Sequence, residues 1–531
     1  MLLLTVRLAS ADTATTDFST DAGGWIGGTV QDGVLRIADG RAEFGGFDPA
    51  TVAAVSVTAR VRSTSSGGWA LAAGGEALSA RYDTAGAISL GETRWPLPMA
   101  HLTWVPDADP AFEAGADAWE AGGVLHADVV HDEAAGEWRL YYTGFFAPPG
   151  YGYRQIVVAT SRDGRTWTRL PANPVLTIDY SNDVDGVHVH MPDVIRRPDG
   201  TWQMIYACYQ NNVGNRLCRA TSPDGLAWTP EGVTLDRGAV GEFDSGSLRM
   251  PAQWIDDAGL WHLWYDGTDP EQHYGPTGYA TSPDGVAWTR HGQILDAAHA
   301  LQGLDVVRSP WGLEAFYNHD DYFVRASADP ADPAAWTEAG TVLTKGWAWW
   351  NDGYIQAPTL ALDGTTWHMW FNGYTYTDAM ERLGHATGVP APGTWMDVTL
   401  TWDGAQLVAS VDGAALPAVE QAALGALALT VDGSAELDDV TVTWTTRAED
   451  TGVTDTGDPD TAAPVDTADS GDTGVFDADT DTGADTGAAE AEGCACGRGG
   501  GASWAAWGLA ALLVGRRRPL LRARTRPRDV G

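Results

Sequence analysis

Up to residue 446, short runs in which apolar and polar residues alternate dominate the chain. Alternation with a period of two is the pattern of a β-strand that buries one face. Five of the runs are rich in aromatic residues and are similar to one another: "EWRLYYTG" from Glu137, "TWQMIYAC" from Thr201, "LWHLWYDG" from Leu260, "LEAFYNHD" from Leu313 and "TWHMWFNG" from Thr366. The sequence therefore predicts an all-β protein.

A second phrase recurs in step with these runs. It reads "ATSRDGRTWT" from Ala159, "ATSPDGLAWT" from Ala220, "ATSPDGVAWT" from Ala280, "ASADPADPAAWT" from Ala326 and "ATG" from Ala386. Its starting points are separated by 61, 60, 46 and 60 residues. Self-similarity at such a period is typical of repeat architectures, whose units bury their faces against one another.

Each repeat is interpreted as four antiparallel strands, with Asp-Gly hairpin turns at Asp163, Asp224 and Asp284. Five such repeats predict a five-bladed β-propeller over residues 101–389. The fifth repeat lacks its last strand, and "LTWVPDADPAF" from Leu102 is predicted to supply it and close the ring. The tryptophans after the turns are predicted to pack between blades: Trp167, Trp228 and Trp288.

Residues 15–97 and 393–446 differ from the repeats, with alternating runs such as "VSVTARVRS" and "WMDVTLTWDG". Together the two segments hold about 135 residues, a normal domain size. We predict that they form one β-sandwich, a jelly roll interrupted by the propeller. The order of its strands resembles the concanavalin-like and laminin-G-like folds. Two separate small β modules are the alternative.

Residues 448–492 form an acidic tract rich in Asp, Thr and Gly, with fourteen acidic residues and no Lys or Arg. Such a tract repels itself and lacks apolar residues for a core, so it is predicted to be a disordered linker. It also supplies a good share of the formal net charge of −39. This charge argues against a nucleic acid as partner.

The two ends of the chain predict its compartment. Residues 1–11, "MLLLTVRLASA", combine an apolar run with a cleavage-type Ala-Ser-Ala triplet, and we interpret them as a truncated signal peptide; a start that is no signal is the alternative. Residues 493–531 join a Cys-x-Cys motif, an uncharged stretch and an arginine-rich tail. The motif has no partners at the spacing of a zinc site.

This C-terminal order resembles the sorting signals of myxobacterial surface proteins. The resemblance implies that a sorting protease cuts near Cys494 and that Cys494 is retained and carries a lipid. A plain membrane anchor is the alternative. Both interpretations predict a secreted protein, anchored at the cell surface or outer membrane.

Two further cysteines, Cys208 and Cys218, fall on neighbouring predicted strands of the second blade. Disulfides persist outside the cytoplasm, so a disulfide between them is one expectation. Two buried free thiols are the other.

Carboxylates recur at the start of the predicted inner strands: Asp128 in "HADVV", Asp193 in "MPDVI" and Asp305 in "LDVV". In a propeller, these strands point one end at the central channel, so the three acids are predicted to converge. Like charges held close raise pKa values, which suits acid–base chemistry. The alternative is that each Asp only caps a turn.

Five repeats, "ATSPDGxxW" turns and acids at inner strand starts resemble the five-bladed glycoside hydrolases: arabinanases, xylosidases, invertases, levansucrases and mannoside phosphorylases. In the arabinanase-like branch, a first-blade Asp is the base, a second-blade Asp tunes the acid and a third-blade Glu is the acid. The resemblance assigns the first two roles to Asp128 and Asp193. Arg249 stands where the Glu would fall, so the acid is expected from Asp244, Glu242 or Asp305.

Other residues near these strands are candidates for substrate binding. His126, His188 and His190 precede the inner acids and could bind sugar hydroxyls or a metal, or simply form structural hydrogen bonds. Arg249 is a further candidate for substrate binding. In "GWAWWNDG", Trp347, Trp349 and Trp350 are candidates for stacking on sugars, with core packing as the alternative. "NDVDG" at Asn182 has part of the spacing of a calcium loop. A structural calcium is therefore the one candidate cofactor.

The resemblance implies a carbohydrate-active protein, and two functions remain open. One is a glycoside hydrolase that acts on a poly- or oligosaccharide with two carboxylates. The other is a glycan-binding or adhesion protein on the same fold that has lost its acid. In either case the chain is expected to be a monomer.

Overall fold

A computed structural model describes residues 11–447, with gaps at 17, 19–23, 33, 83–85, 147–151, 182–183, 212, 271–274, 296–300 and 320. Almost all regular structure in this part is β-strand, and its two 3₁₀ helices, Pro49–Thr51 and Met99–His101, are single turns. No described helix has the length and apolar character needed to cross a membrane. Three predicted segments lie outside the described residues and stay predictions. They are the signal peptide (1–11, of which only Ala11 is described), the acidic linker (448–492) and the sorting segment with Cys494.

The N-terminal flank contributes nine strands: β1 (Ala11–Thr16), β2 (Trp25–Ile26), β3 (Thr29–Gln31), β4 (Val34–Phe44), β5 (Val52–Ser63), β6 (Gly68–Gly74), β7 (Ala77–Arg81), β8 (Ala87–Leu90) and β9 (Thr93–Pro96). The propeller begins with β10 (Leu102–Pro106). This strand pairs with the last strand of the fifth blade, for example Trp104 with Gly388. A strand from the start of the propeller therefore closes the ring, as the sequence predicts.

The five blades follow in order, each with four antiparallel strands in which successive strands pair. A parallel bridge between Arg154 and His188 joins the first two blades into one eight-stranded sheet. The first blade is β11 (Val124–Asp132), β12 (Glu137–Phe146), β13 (Tyr153–Ser161) and β14 (Thr168–Arg169); the second is β15 (His188–Arg196), β16 (Trp202–Gln210), β17 (Gly214–Ser222) and β18 (Thr229–Leu235). The third is β19 (Ser247–Ile255), β20 (Trp261–Thr268), β21 (Thr277–Ser282) and β22 (Thr289–Leu295); the fourth is β23 (Leu301–Ser309), β24 (Gly312–His319), β25 (Tyr322–Ala328) and β26 (Thr337–Thr344). The fifth is β27 (Tyr354–Asp363), β28 (Thr366–Tyr374) and β29 (Glu381–Pro390), completed by β10.

The C-terminal flank adds β30 (Met396–Trp402), β31 (Gln406–Val411), β32 (Ala414–Ala415), β33 (Val419–Glu420) and β34 (Leu424–Thr446). These strands interleave with those of the N-terminal flank in one 14-stranded sheet. Val57 on β5 pairs with Leu400 on one side and with Val442 on the other. Both flanks therefore build the same sandwich, and the all-β architecture of propeller plus split sandwich is as the sequence predicts.

One apolar core fills the sandwich and draws on both flanks, from Phe18 and Val57 to Trp402 and Val442. The propeller also touches this core, because Trp311 packs against it and its Nε1 donates to Pro96 O at 2.9 Å. Beside this contact, His101 Nε2 lies 2.7 Å from Oδ2 of Asp412. Sandwich and propeller are thus joined by buried side chains as well as by the chain itself.

The repeated Asp-Gly phrase forms the turn between the third and fourth strands of a blade. In the second blade, Oδ1 of Asp224 accepts from the backbone N of Leu226 and Ala227, both at 2.9 Å. Gly225 follows with a φ of +74°, a conformation that glycine adopts without strain. The phrase recurs in the first three blades because each of them makes the same tight turn at the face where the inner strands end.

These turns also join adjacent blades. Tyr141 of the first blade donates to Gly225 O of the second at 2.8 Å, and Trp370 of the fifth donates to Gly164 O of the first at 2.9 Å. Ring contacts confirm the predicted packing between blades for two of the three tryptophans, Trp167 and Trp228. Trp167 lies 6.3 Å from Trp370, and Trp228 lies 5.9 Å from Tyr141, between ring centroids.

Candidate functional site

A β-bulge interrupts the innermost strand of every blade at the same point. Pairing with the second strand resumes at Asp128, Asp193, Ala252, Asp305 and Thr359, which we call the axial ring. Two residues earlier, each strand has a left-handed residue: His126, Met191, Met250, Gly303 or Ala357. Non-glycine residues seldom adopt this conformation, so its recurrence marks a bulge that belongs to the repeat.

The left-handed residues narrow the central channel of the propeller. Met191, Met250 and Ala357 form an apolar cluster there with Ala207. A Cβ atom on Gly303 would lie 3.1 Å from Cα of Ala357, so the fourth blade also approaches closely. The left-handed residues and the four polar members of the axial ring line a cavity with a volume of about 30 Å³. It has room for about one or two water molecules and none for a sugar ring.

The polar side chains of the axial ring connect neighbouring blades. Val194 N of the second blade donates to Oδ2 of Asp128 of the first at 2.7 Å. Leu360 N of the fifth blade donates to Oδ2 of Asp305 of the fourth at 2.6 Å. Two further junctions follow the same plan: Gln253 Nε2 to Oδ2 of Asp193 at 2.8 Å, and Val129 N to Oγ1 of Thr359 at 3.3 Å.

The three ring carboxyls have raised pKa values. Burial, and then the charge of Asp305, raise the pKa of Asp128 to about 8. Burial raises the pKa of Asp305 to about 7. For Asp193, burial and then the charge of Asp128 raise the pKa well above its ordinary value. The acids thus converge as the sequence predicts, although their oxygens already hold the blades together. Their catalytic role stays a prediction.

The third blade has no carboxylate in the ring, because Ala252 occupies that position. Arg249 lies three residues earlier on the same strand, opposite Asp266 of β20. Its place is therefore above the axial ring, at the end of the propeller where the inner strands begin. We call this end the upper face.

Asp244, expected as an alternative acid, is held away from the axial ring. Its Oδ2 accepts from Tyr265 Oη at 3.0 Å and from Arg290 Nε at 3.2 Å. Arg290 is on β22, the outermost strand of the blade, so its ion pair with the buried Asp244 fixes the carboxylate within the third blade. Glu242 is exposed, and its Oε2 accepts from Ala239 N at 2.7 Å. Neither acid joins the other three.

A group of basic side chains lies above the axial ring. We call it the mouth cluster, and it consists of His126, His188, His190, Arg154 and Arg249. The imidazole of His190 lies 6.4 Å from that of His126 and 5.7 Å from that of His188, between ring centroids. Arg154 is the second residue of β13 in the first blade and pairs, through a parallel bridge, with His188 of the second. The three predicted histidines are therefore brought together, and Arg154 is a member that the sequence analysis missed.

The imidazoles of the mouth cluster are neutral near pH 7. Burial and then the charge of Arg154 lower the pKa of His126 to about 3, with Arg249 adding to the shift. The same two causes lower the pKa of His188 to about 4 and that of His190 well below its ordinary value. His190 Nε2 is 2.9 Å from Oδ1 of Asn215. The fixed positive charge of the cluster comes from its two arginines.

Two carboxyls that the sequence analysis missed also lie at this face. Glu381, at the start of β29, accepts from Tyr354 Oη and from Gln356 Nε2, and burial raises its pKa to about 7. Asp266 accepts from Gly303 N at 3.1 Å, and burial raises its pKa to about 7. The sequence held a signal for one of them, because Arg154 and Glu381 both stand five residues before the Ala that starts the repeated phrase.

Exposed aromatic side chains gather on the upper face. Among the described residues, the aromatic side chains exposed over more than half of their surface are Tyr180 (68%), Trp349 (55%) and Tyr376 (71%). Tyr180 lies between β14 and β15, Trp349 between β26 and β27, and Tyr376 just after β28. All three segments reach the face where inner strands begin. The guanidinium of Arg382 lies 4.8 Å from the ring centroid of Trp349.

Trp350 does not belong to this exposed set, which corrects its assignment to substrate binding. Its side chain is wholly buried, stacks on Phe371 at 5.9 Å and donates from Nε1 to Ala108 O at 3.0 Å. The core of the fifth blade needs this large apolar ring, so no surface remains for a sugar. Trp347 also packs against that core.

The remaining candidates concern cysteines and metals. The sulfurs of Cys208 and Cys218 form a disulfide within the second blade, and both residues are fully buried. Within the described ranges, no group of three or more His, Cys, Asp or Glu side chains is placed to hold a metal ion. Asn182 and Asp183 lie outside the described residues, so the calcium loop stays a prediction.

No protein-family model and no curated protein matches the sequence. Solved structures do match. One is a glycosyl hydrolase from Bacteroides ovatus, with 15% identity over 55% of this chain and 95% of that chain and a TM-score of 0.44. Another is a β-1,2-mannobiose phosphorylase from Listeria innocua, with 13% identity over 54% of this chain and 96% of that chain and a TM-score of 0.45. Similarity at this level assigns no activity, so the chemistry has to be inferred from the side chains of the chain itself.

Proposed function

We propose that this protein is carbohydrate-active and binds a glycan on the upper face of its propeller. One observation carries the proposal: the most exposed aromatic side chains of the described residues, Tyr180, Trp349 and Tyr376, all belong to segments at the upper face, which also holds the mouth cluster. Flat aromatic faces pack against the apolar faces of sugar rings. Buried polar groups nearby would pair with the hydroxyls and fix the orientation of the sugar.

The close packing at the propeller axis favours glycan binding over glycan cleavage as the function. The predicted catalytic acids Asp128, Asp193 and Asp305 face a cavity of about 30 Å³. A glycosidic oxygen has to come within hydrogen-bond distance of the acid that protonates it. With Met191, Met250 and Ala357 packed at the axis, a sugar above the ring is separated from those carboxyls.

Hydrolysis remains the second candidate, and a different pair of acids favours it. Glu381 and Asp266 both belong to the upper face, and each has a pKa of about 7. A carboxyl with a pKa near the working pH serves as either a general acid or a general base. In an inverting mechanism one of the two would protonate the leaving oxygen. The other, as a carboxylate on the opposite side of the sugar, would deprotonate the water that attacks the anomeric carbon.

A binding screen of the full chain against neutral and acidic polysaccharides tests the proposal. Trp349→Ala and Tyr376→Ala should each weaken binding of the selected glycan about tenfold, because each removes one stacking surface worth about 1.4 kcal/mol. Val286→Ala is the matched control, since Val286 is also exposed (42%) but lies in the third-blade turn on the opposite face. Failure to bind any glycan, or equal losses in the control, would reject the proposal.

A further inference from the structure

We propose that the mouth cluster selects glycans that carry an oxyanion, a carboxylate or a sulfate ester, on the bound sugar. The inference rests on the proposed function and names its ligand class. Its basis is the placement of two arginines and three imidazoles beside one another at the upper face, where the exposed aromatic side chains also lie.

The two guanidinium groups lie close enough to affect each other. Burial lowers the pKa of Arg154 most, Glu381 opposes this shift, and the charge of Arg249 adds to it. Both arginines are partly exposed, and each lies near one carboxyl, Glu381 for Arg154 and Asp266 for Arg249. A guanidinium offers a planar fork of N–H donors that matches a carboxylate or sulfate. The pair of arginines is therefore suited to an oxyanion rather than to a neutral hydroxyl.

The histidines add hydrogen-bonding groups to this site. His126 is 8% exposed and His190 is 1% exposed, and the Nδ1 atom of each is buried without a hydrogen-bond partner among the described residues. The Nε atom of Arg154 is in the same state. Buried polar atoms without partners are unfavourable in a folded protein. A bound anionic group would supply an acceptor for the Nε–H of Arg154 and for His126 in the tautomer that carries its proton on Nδ1. Neutral His190 donates from Nε2 to Asn215, so its Nδ1 is an acceptor and adds nothing to anion binding.

The charges of the neighbouring carboxyls do not cancel this preference. Burial raises the pKa values of Glu381 and Asp266 to about 7, so both carboxyls are only partly ionised near neutral pH, whereas a guanidinium group in a protein keeps its charge. The chain as a whole has a formal net charge of −39. General attraction to the protein surface therefore cannot explain binding of an acidic glycan, and a local site is required.

The first test changes the ligand and leaves the protein intact. Affinities of the full chain are measured for a uronic acid oligosaccharide, for the same oligosaccharide after chemical reduction of its carboxyls to alcohols, and for a sulfated oligosaccharide. We expect one of the two acidic forms to bind at least about tenfold more tightly than the reduced, neutral form, and the form that does so identifies the oxyanion. Equal or tighter binding of the neutral form overturns this inference and leaves glycan binding standing. Absence of binding to every oligosaccharide rejects the proposed function and, with it, this inference.

The second test changes the protein. Arg154→Gln should weaken binding of the acidic ligand about 10- to 100-fold, the usual effect of losing a hydrogen bond to a charged group, and should change binding of a neutral glycan much less. Arg162→Gln is the charge-matched control, because Arg162 is exposed in the first-blade turn on the opposite face. Equal losses in both variants, or equal losses for acidic and neutral ligands, overturn the inference. Should Arg154→Gln not fold, the comparison of ligands decides alone.

Discussion

Oδ2 of Asp128 in the first blade accepts a hydrogen bond of 2.7 Å from the backbone N of Val194 in the second. Oδ1 of the same carboxyl accepts from Oγ1 of Thr359 in the fifth blade at 3.3 Å. One buried side chain thus joins three of the five blades next to the axis. Its primary effect should be on the stability of the ring.

We expect Asp128→Ala to lower the free energy of unfolding by about 1–3 kcal/mol, because it leaves the buried N–H of Val194 without an acceptor. Asp128→Asn keeps an acceptor oxygen and should cost less. Urea unfolding of the full chain measures both. Asp257→Ala, at an exposed aspartate in the third blade, serves as the control. An Asp128→Ala variant as stable as this control would show that the bond between blades contributes nothing.

The raised pKa of Asp128 predicts a dependence of stability on pH. The folded chain favours the protonated carboxyl, with a pKa of about 8 against an ordinary 3.8. As the pH rises from about 4 to about 8, the unfolded state loses this proton first, so the stability due to the group is progressively lost. The free energy of unfolding of the wild type, minus that of Asp128→Asn, should therefore fall between pH 5 and pH 8, by at least about 1 kcal/mol.

The comparison with the variant removes the contribution of groups that do not interact with Asp128. Asp193 titrates together with Asp128, so the difference reports this coupled pair. His126, whose pKa is lowered to about 3, acts in the opposite direction, because its unfolded form binds a proton that the folded form excludes. This term is present in both proteins and cancels. A difference in stability that stays constant from pH 5 to pH 8 would mean that Asp128 is ionised in the folded state at pH 5.

If a glycan is found that the protein cleaves, the two sets of acids make opposite predictions. Removal of a general acid or base typically lowers the rate by about 10²–10⁴-fold. We expect this loss for Glu381→Gln, and a rate within about threefold of the wild type for Asp128→Asn. Initial rates with folded protein decide the matter. The reverse result would return catalysis to the axial ring, as the sequence analysis had it.

The disulfide should stabilise the second blade. Cys208 and Cys218 are ten residues apart in the chain, and closing a loop of this length in the unfolded state is worth about 2–3 kcal/mol. The double variant Cys208→Ala/Cys218→Ala should lose about that amount in urea unfolding. Since both sulfurs are buried, mild reductant should not change the folded wild type. Rapid reduction without unfolding would contradict their burial.

The predicted sorting signal can be tested on the native protein. Mass spectrometry of material from the producing cells should find a C-terminus near Cys494 and a mass increase from a lipid on that residue. The arginine-rich tail should be absent. An intact tail ending at Gly531 would reject processing and leave the membrane-anchor alternative.

The blades were predictable because each one repeats a local pattern. The alternation of apolar and polar residues predicted the strands. The Asp-Gly pairs predicted the turns, because such a turn needs a residue with a left-handed backbone, and Gly225 and its equivalents adopt it. The ring closure by β10 followed from counting, because the fifth repeat lacked a strand. The split sandwich was suggested by composition, yet the double pairing of Val57 depends on contacts across more than 300 residues, which no local pattern specifies.

The candidate site was harder to predict for two reasons. The bulge places a left-handed residue such as Met191 at the axis two positions before the acid, and a sequence of alternating residues does not show where the alternation breaks. Burial of Trp350 beside an exposed Trp349 depends on the loop that carries them. Arg154 and Glu381 share a repeat position, although a charge at the end of a strand is common enough to escape notice.

The pairing of Val57 with Leu400 and Val442 has a consequence for how the chain is made. Because both neighbours of β5 are synthesised last, β5 emerges with both of its edges unpaired and stays so until nearly the whole folded region has left the ribosome. The propeller does not shorten this delay, but it brings the two flanks close together. Closure of the ring sets Leu102 beside Pro390, which delivers the two flanks to one another, so completion of the ring is the step on which assembly of the sandwich depends.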